Sequence, residues 1–325
     1  MQKWKLKNAI AHILAKIPCG ENLYYFIQRN ITKSVFLNDK TFRERFYSKV
    51  LQHLIAISKF CDRELSKSSI FEFGAGWDLL APIGFSLIGG GGVVTVDLNE
   101  YVRPELIKNT LKLYAKNQKN ILEACNGKNI NVSEKFHNIS DILNNFDDKN
   151  VVCFLKDNLG IEYRPKYNAA STDYSDETFA FIISNVTLEH IPRQSLKMIF
   201  DECHRILKAD GLISVTADCK DHYSYYDKSI SPYNYLKYSN KEWVKYNSSI
   251  HYQNRLRIND YRELMTESGF VCVEEIYSEP NDEDRNDFMK ITPSEDFSKY
   301  SMHDLMIKFI HFIAKKQNQD KRKRD

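Results

Sequence analysis

The sequence predicts an α/β fold, a mostly parallel sheet with helices on both faces. Three observations carry that expectation. Ile70-Phe71-Glu72-Phe73 runs into the glycine turn Gly74-Ala75-Gly76, and a second apolar run, Val93-Val94-Thr95-Val96, ends on Asp97. Downstream, apolar strand-like runs alternate with amphipathic helical stretches, as they do where strands are buried on both sides. At 325 residues, with 42% apolar and 13% aromatic content, the chain can bury one large core with additions.

Near the N-terminus, Trp4, Leu6, Ile10, Ile13, Leu14 and Ile17 fall close to helical spacing among Lys3, Lys5, Lys7 and Lys16, and Pro18 and Gly20 stop the run. A helix packed on the domain with its lysines in water is preferred, since few large residues would be buried. The other reading is a basic amphipathic helix in peripheral contact with an anionic membrane. Thr41 to Leu65 reads as a longer helix, capped by Asp39 or Thr41, with Phe46, Val50, Leu51, Leu54 and Ile57 as its stripe. Pro104 to Asn117 is helical, and an Asn-rich connection follows to about Lys149.

Strands are expected over Val151 to Lys156, Phe179 to Ser184, Leu212 to Ala217 and Phe270 to Ile276, and helices over Gln194 to Leu207 and Asp260 to Ser268. Met306 to Ala314 has helical spacing but strand-like composition, and an edge-inserted final strand is preferred. Between Asp218 and Asn259 the periodicity fails and tyrosines crowd together with Trp243 and His251. Following a strand end, where open sheets place their crevice, this segment reads as a lid over substrate or equally as an aromatic mini-core. The resulting organisation is an N-terminal helical extension (1–66), a ligand-binding core (67–220), an aromatic insertion (221–258), a completion of the core (259–316) and a basic tail (317–325).

A net charge of +3 is too small to imply polyanion binding by the whole chain. Seven scattered cysteines without C-x-x-C or zinc spacing predict no metal centre and fit a reducing cytoplasm. No apolar run approaches the ~18 residues of a membrane span, and no signal-peptide pattern is present, so a cytoplasmic location is expected.

The glycine turn and Asp97 suit a ligand that carries adenosine, because backbone must approach it closely and a carboxylate must hold its ribose hydroxyls. Position 79 is Leu79, so the third glycine of G-x-G-x-x-G is missing. That glycine serves close packing beneath a pyrophosphate, which weakens a nicotinamide reading and leaves S-adenosylmethionine, a phosphate-free cation. Glu72 would face its ammonium side and Asp97 its ribose.

The chain resembles the class I S-adenosylmethionine-dependent methyltransferases in ordered blocks between Ile70 and Ala217. These are Glu72-Phe73-Gly74-Ala75-Gly76; Val96-Asp97-Leu98; Asn168-Ala169 with Asp176-Glu177-Thr178-Phe179; Ile182 through Asn185 to Glu189-His190-Ile191; and Arg205 to Gly211. The resemblance implies a Rossmann-like, seven-stranded sheet and a cofactor site at Glu72, Gly74, Ala75, Gly76, Asp97, Leu98, Asn168, Ala169, Asn185 and Glu189. Asn168 stands where the family has an acid toward adenine, and Ala180 where it has an Asp. His190 is the leading candidate base, with Asp218, His222 and His251 behind it; the other reading of His190 is a residue that only shapes the pocket.

Asp221-His222-Tyr223, Ile230-Ser231-Pro232-Tyr233-Asn234 and His251 to Leu256 also resemble a methyltransferase group of bacterial surface-polysaccharide assembly. That likeness implies O-methylation of a sugar, glycan or sugar-lipid acceptor. The alternatives are methylation of nucleic acid or protein, and a binding or scaffold protein that keeps the fold without turnover. Ser184-Asn185-Val186-Thr187 is not the Asn-Pro-Pro-aromatic motif of amino-directed base methylases, so no nucleic-acid partner is expected.

Overall fold

The computed structural model describes residues 3–17, 23, 37–89, 91–128, 130 and 132–317. Seven strands form one sheet: β1 (Ser69–Phe73), β2 (Gly92–Asp97), β3 (Ile161–Pro165), β4 (Phe179–Ser184), β5 (Leu207–Asp218), β6 (Phe270–Tyr277) and β7 (Phe309–Lys316). Their spatial order is β3-β2-β1-β4-β5-β7-β6. The first five neighbours pair in parallel, with Ile70 opposite Val93 on one side and opposite Phe181 on the other. The final strand is antiparallel to both neighbours, with Ile213 opposite Ala314 and Tyr277 opposite Ile310. It is therefore inserted between β5 and β6, as its composition predicted.

The helices that frame the sheet and the site include α1 (Lys3–Leu14), α2 (Asp39–Phe46), α3 (Gln52–Phe60), α4 (Leu80–Leu87), α5 (Pro104–Lys116), α6 (Val151–Leu159), α7 (Arg193–Ile206) and α8 (Ile258–Glu267), with shorter helices in the connections. Phe42, Val50, Leu54, Ile83, Leu111 and Leu155 fill the core on one face of the sheet, and Leu196, Phe200, Ile206, Tyr261 and Leu264 fill the other. Every residue of β4 is buried, which is why this strand is a continuous apolar run and not an alternating one.

Three expectations need correction. Val151 to Lys156 is not a strand; it begins helix α6. Asn150 caps that helix by accepting from the Cys153 N–H, and Gly160, at φ +66°, terminates it. The strand is the next segment, in which Ile161 and Tyr163 are buried. The helix expected to Leu65 ends at Phe60 and is interrupted by a π-helical turn, Tyr47–Leu51. Its cap is Asn38, which forms a reciprocal pair of bonds with Thr41. In the N-terminal helix, Lys3 and Lys5 do face water, but so do Leu6, Ile10 and Ile13, and the stop at Pro18 and Gly20 lies outside the described residues.

The insertion builds a third core. Tyr223, Tyr233, Tyr235 and Trp243 pack with Trp4 of α1 and with Phe288, Phe297, Leu305 and Met306 from the β6–β7 connection. Arg257 joins these pieces. It is fully buried, and its guanidinium donates to the carbonyls of Cys219, Asp304, Leu305 and Ile307 and to the Tyr235 hydroxyl. Arg257→Met keeps the bulk and removes all of these bonds. The substitution should lower stability by about 2–4 kcal/mol, read as a lower midpoint of urea unfolding. An unchanged midpoint would show that the clamp is not needed.

Candidate active site

The site lies at the carboxyl ends of β1, β2, β4 and β5, where the loops of a parallel sheet converge. Gly74 and Gly76 have φ of +84° and +69°. A Cβ on Gly74 would sit 2.3 Å from Thr187 Oγ1, so the turn after β1 lies directly against the loop after β4. Gly76 faces open space instead, leaving room for a ligand against its backbone. The Gly74 and Ala75 N–H groups both donate to the Val96 carbonyl, at 2.9 and 3.1 Å, and the Gly76 N–H donates to Asp97 Oδ2 at 3.2 Å. The turn is thus fastened to the end of β2, which carries the candidate ribose acid.

Two non-glycine residues in these loops, Leu79 and Val186, are left-handed at φ 44°. Each conformation costs about 1–2 kcal/mol and persists only where the surroundings impose it. Leu79, which stands where the third glycine would be, is held by its fully buried side chain. Val186 is held by the bond from its N–H to Thr216 Oγ1.

Glu72 is buried and accepts from Thr95 Oγ1 at 2.7 Å. Burial raises its pKa to about 8, against the pull of Thr95 and Lys49. At neutral pH its carboxyl is therefore mostly protonated, and a cation placed beside it would restore its charge. Lys49 comes from the π-helical turn; burial lowers its pKa, while Asp78, Glu72 and Glu189 raise it. Trp77 and Tyr101 stack at 4.4 Å, one in each of the loops that meet at Asp97. Leu98 is exposed and Ala169 buried. The Asn168 amide oxygen accepts from the Ala170 N–H at 2.9 Å within its own turn, and the Tyr167 N–H ties that turn to the Asp97 carbonyl.

The second half of the site is a cluster of acids and imidazoles. The short turn Leu188–His190 follows β4. Residues from the insertion strap it down: the Asn254 N–H donates to the Glu189 carbonyl, and the Asn254 side chain donates to the Leu188 and Ile191 carbonyls. His190 Nδ1 lies 2.7 Å from the Tyr252 carbonyl, so Nδ1 carries the proton and Nε2 keeps a lone pair. The His190 and His222 rings are 4.9 Å apart, His222 and His251 6.2 Å. His222 Nε2 is 3.7 Å from Asp218 Oδ2, which also accepts from the Tyr225 hydroxyl.

Desolvation by the surrounding protein lowers the pKa of His190, which still keeps exposed surface, and of His222, and raises that of Glu189 and of Asp218. Among the described residues, neither Glu189 carboxylate oxygen has a hydrogen-bond partner, nor does His222 Nε2. Ligand atoms of Glu189, His190 and His222 all lie within 4.8 Å of one another.

The fold thus brings His190, His222, Asp218, Glu189 and the second-line candidate His251 together, with Glu72, Gly74, Gly76 and Asp97 on the adjoining side. Sequence reasoning missed Lys49, because nothing in the local sequence announces a π turn. It also missed His53. This buried imidazole contacts Asn185 Oδ1 at 2.9 Å and Ser214 Oγ at 2.7 Å, and Ser214 Oγ in turn meets His311 Nε2 at 2.7 Å. Burial holds His53 at a pKa of about 4, so it stays neutral while positioning Asn185. A polar residue inside the apolar stripe of α3 was the signal.

A family model described as a methyltransferase domain matches residues 95–275, more than half of the chain. No curated protein matches. Solved structures similar to this chain include a Pyrococcus horikoshii protein at 14% identity, with 89% of this chain and 98% of that one covered and a TM-score of 0.46. A SAM-dependent methyltransferase from Methanosarcina mazei shows 14% identity, 81% and 97% coverage and a TM-score of 0.41. For Haemonchus contortus phosphoethanolamine N-methyltransferase 2 the values are 14%, 90% and 60%, and 0.43. Through the family match and its seven-stranded architecture, the chain belongs to the methyltransferase-domain family and is an S-adenosylmethionine-dependent enzyme of class I fold.

Proposed function

We propose that the enzyme methylates a hydroxyl of a sugar, glycan or sugar-lipid in cell-surface polysaccharide synthesis, with His190 as the base. One observation carries this reading: His190 has its Nδ1 proton committed to a backbone carbonyl and its Nε2 lone pair free, beneath an insertion rich in tyrosines. Two further features support a carbohydrate acceptor. Tyr225 and Tyr226 remain exposed while the rest of the aromatic segment is largely buried, and exposed aromatic faces stack on sugar C–H surfaces. The motifs resembling the polysaccharide group also hold the site's frame: Asp221 accepts from Asn234 and from the Tyr223 N–H, and Gln253 Oε1 accepts from the His222 N–H.

In this reading Asp97 holds the ribose hydroxyls, the backbone at Gly74 to Gly76 borders the adenosine, and Glu72 balances the cationic amino-acid end. Leu98, Asn168, Ala169 and Asn185 line the same pocket. When bound, S-adenosylmethionine supplies an electrophilic methyl on a positively charged sulfur. His190 Nε2 takes the acceptor proton as the oxygen–methyl bond forms and the sulfur–methyl bond breaks, leaving a neutral thioether. Asp218 and His222 orient the acceptor and stabilise the imidazolium, and Glu189 faces the reacting centre. Holding the oxygen in line supplies much of the acceleration.

A second reading draws on Glu189, His190 and His222, whose mixed carboxylate and imidazole donors suit a divalent first-row ion. Such an ion would activate the acceptor oxygen in place of a base. Chelator treatment separates the two: transfer that survives exhaustive dialysis against EDTA supports the base, and transfer restored only by added Zn²⁺ or Mn²⁺ supports the ion.

Asp97→Ala should weaken S-adenosylhomocysteine binding by about 100-fold, the loss of charge-assisted bonds to two hydroxyls. His190→Ala should spare that affinity and slow methyl transfer to envelope extract by about 10²–10⁴-fold. Calorimetry and transfer of radiolabelled methyl measure the two effects, and equal loss of binding in both variants would make His190 a pocket residue. The rate should also fall as pH drops through the lowered pKa of His190, below about 6.5, and stay level above it. A rate limb centred above pH ~7 would exclude His190 as that base.

A further inference from the structure

Helix α1 has two faces with separate tasks. The inner face buries Trp4, Asn8, Ala11 and Leu14. The Trp4 ring packs 5.3 Å from Tyr223 and 5.0 Å from Tyr246, the Trp4 backbone N–H donates to the Asp227 carboxylate, and the Asn8 side chain donates to the Lys245 carbonyl. The helix also packs on the turn Ser249–His251. Among the described residues, Asn8 Oδ1, His12 Nε2, Ser248 Oγ and His251 Nε2 are enclosed at this contact without a hydrogen-bond partner. Lys7 lies with its Nζ 5.2 Å over the Tyr226 ring, and its charge adds to the burial that lowers the pKa of both His222 and His251. The underside of α1 is thus a wall of the acceptor end of the site.

The outer face carries Leu6, Ile10 and Ile13, and Ile17 follows in the turn just past the helix, exposed by 48%, 42%, 60% and 46%. Steps of four, three and four residues place them on one stripe, and Lys3, Lys5 and Lys16 are exposed around it. A helix serving only the fold would turn its large aliphatic side chains inward. The first 35 residues hold six lysines and arginines against one acid, whereas the whole chain is only +3. That local excess complements an anionic surface, and it would repel a second copy of the same helix.

We propose that α1 seats this stripe in an anionic bilayer, and that the acceptor is a lipid-linked sugar presented to the His190 cluster from the membrane on which the helix docks. The proposal rests on the acceptor reading above and adds the source of the substrate. The apolar stripe enters the headgroup boundary and the flanking lysines meet lipid phosphates.

The test uses the full chain and the I10E/I13E variant with two kinds of vesicle, equimolar phosphatidylglycerol and phosphatidylcholine, or phosphatidylcholine alone. The wild type should sediment with the anionic vesicles and be released by about 0.5 M salt. The variant should partition at least about tenfold more weakly, with S-adenosylhomocysteine affinity unchanged. No sedimentation of the wild type, equal sedimentation of both proteins, or a wild-type dimer that the variant dissolves without any vesicle binding would each overturn the proposal.

A second arm follows labelled methyl into organic-extractable material. With intact envelope vesicles the variant should lose most transfer, and with detergent-solubilised extract the two proteins should match. A variant as active as the wild type on intact vesicles overturns delivery from the bilayer. Absence of labelling by either protein in detergent overturns the acceptor reading itself, whatever the sedimentation shows.

Discussion

A cation with no access to solvent, the guanidinium of Arg257, is the constraint on which the upper half of this molecule depends. Burying such a group is costly unless its donors are paired. Here the pairing of Nη1 and Nη2 comes from carbonyls at the end of β5 and in the 304–307 segment, and from the Tyr235 hydroxyl within the insertion. Segments far apart in sequence must therefore meet at one point. Once they do, the aromatic core of Tyr223, Tyr233, Tyr235 and Trp243 closes over the carboxyl edge of the sheet.

That closure has a direct consequence for the chemistry. The residues just before Arg257 form the strap that holds the Leu188–His190 turn, through Tyr252 and Asn254. The tautomer of His190 thus depends on the same segment that locks the insertion. Low-dielectric surroundings then do the rest. They keep His190 and His222 neutral and disfavour charge on Glu189 and Asp218. A site built this way holds a free lone pair near neutral pH, whereas the same side chains in water would be partly protonated or fully charged.

The cofactor half was legible from local sequence because its requirements are local. Gly74 must adopt positive φ and admit Thr187, Gly76 must leave space, and Asp97 must end a strand beside them. Most of the strands were legible for a similar reason, since apolar runs buried on both faces stand out along the chain. The error at Val151 to Lys156 shows the limit of that logic. An apolar run of this length suits a buried helix as well as a strand, and only Asn150 and Gly160, read as caps, decide between them. The cluster of His190, His222, Asp218 and His251 was named residue by residue. Its assembly depends on contacts across about sixty positions of chain, from His190 to Tyr252.

By itself the sequence determined the α/β class, the strand character of the final segment, the glycine turn and the acid beside it. Each of these follows from backbone conformation or side-chain period within a few residues. Only the tertiary structure decided which face of α1 is buried, that Lys49 reaches the site from a π turn, and that Glu189 is enclosed without a partner. Those features depend on what lies opposite in space, and burial, pairing and electrostatic surroundings are properties of neighbours that the order of residues does not state.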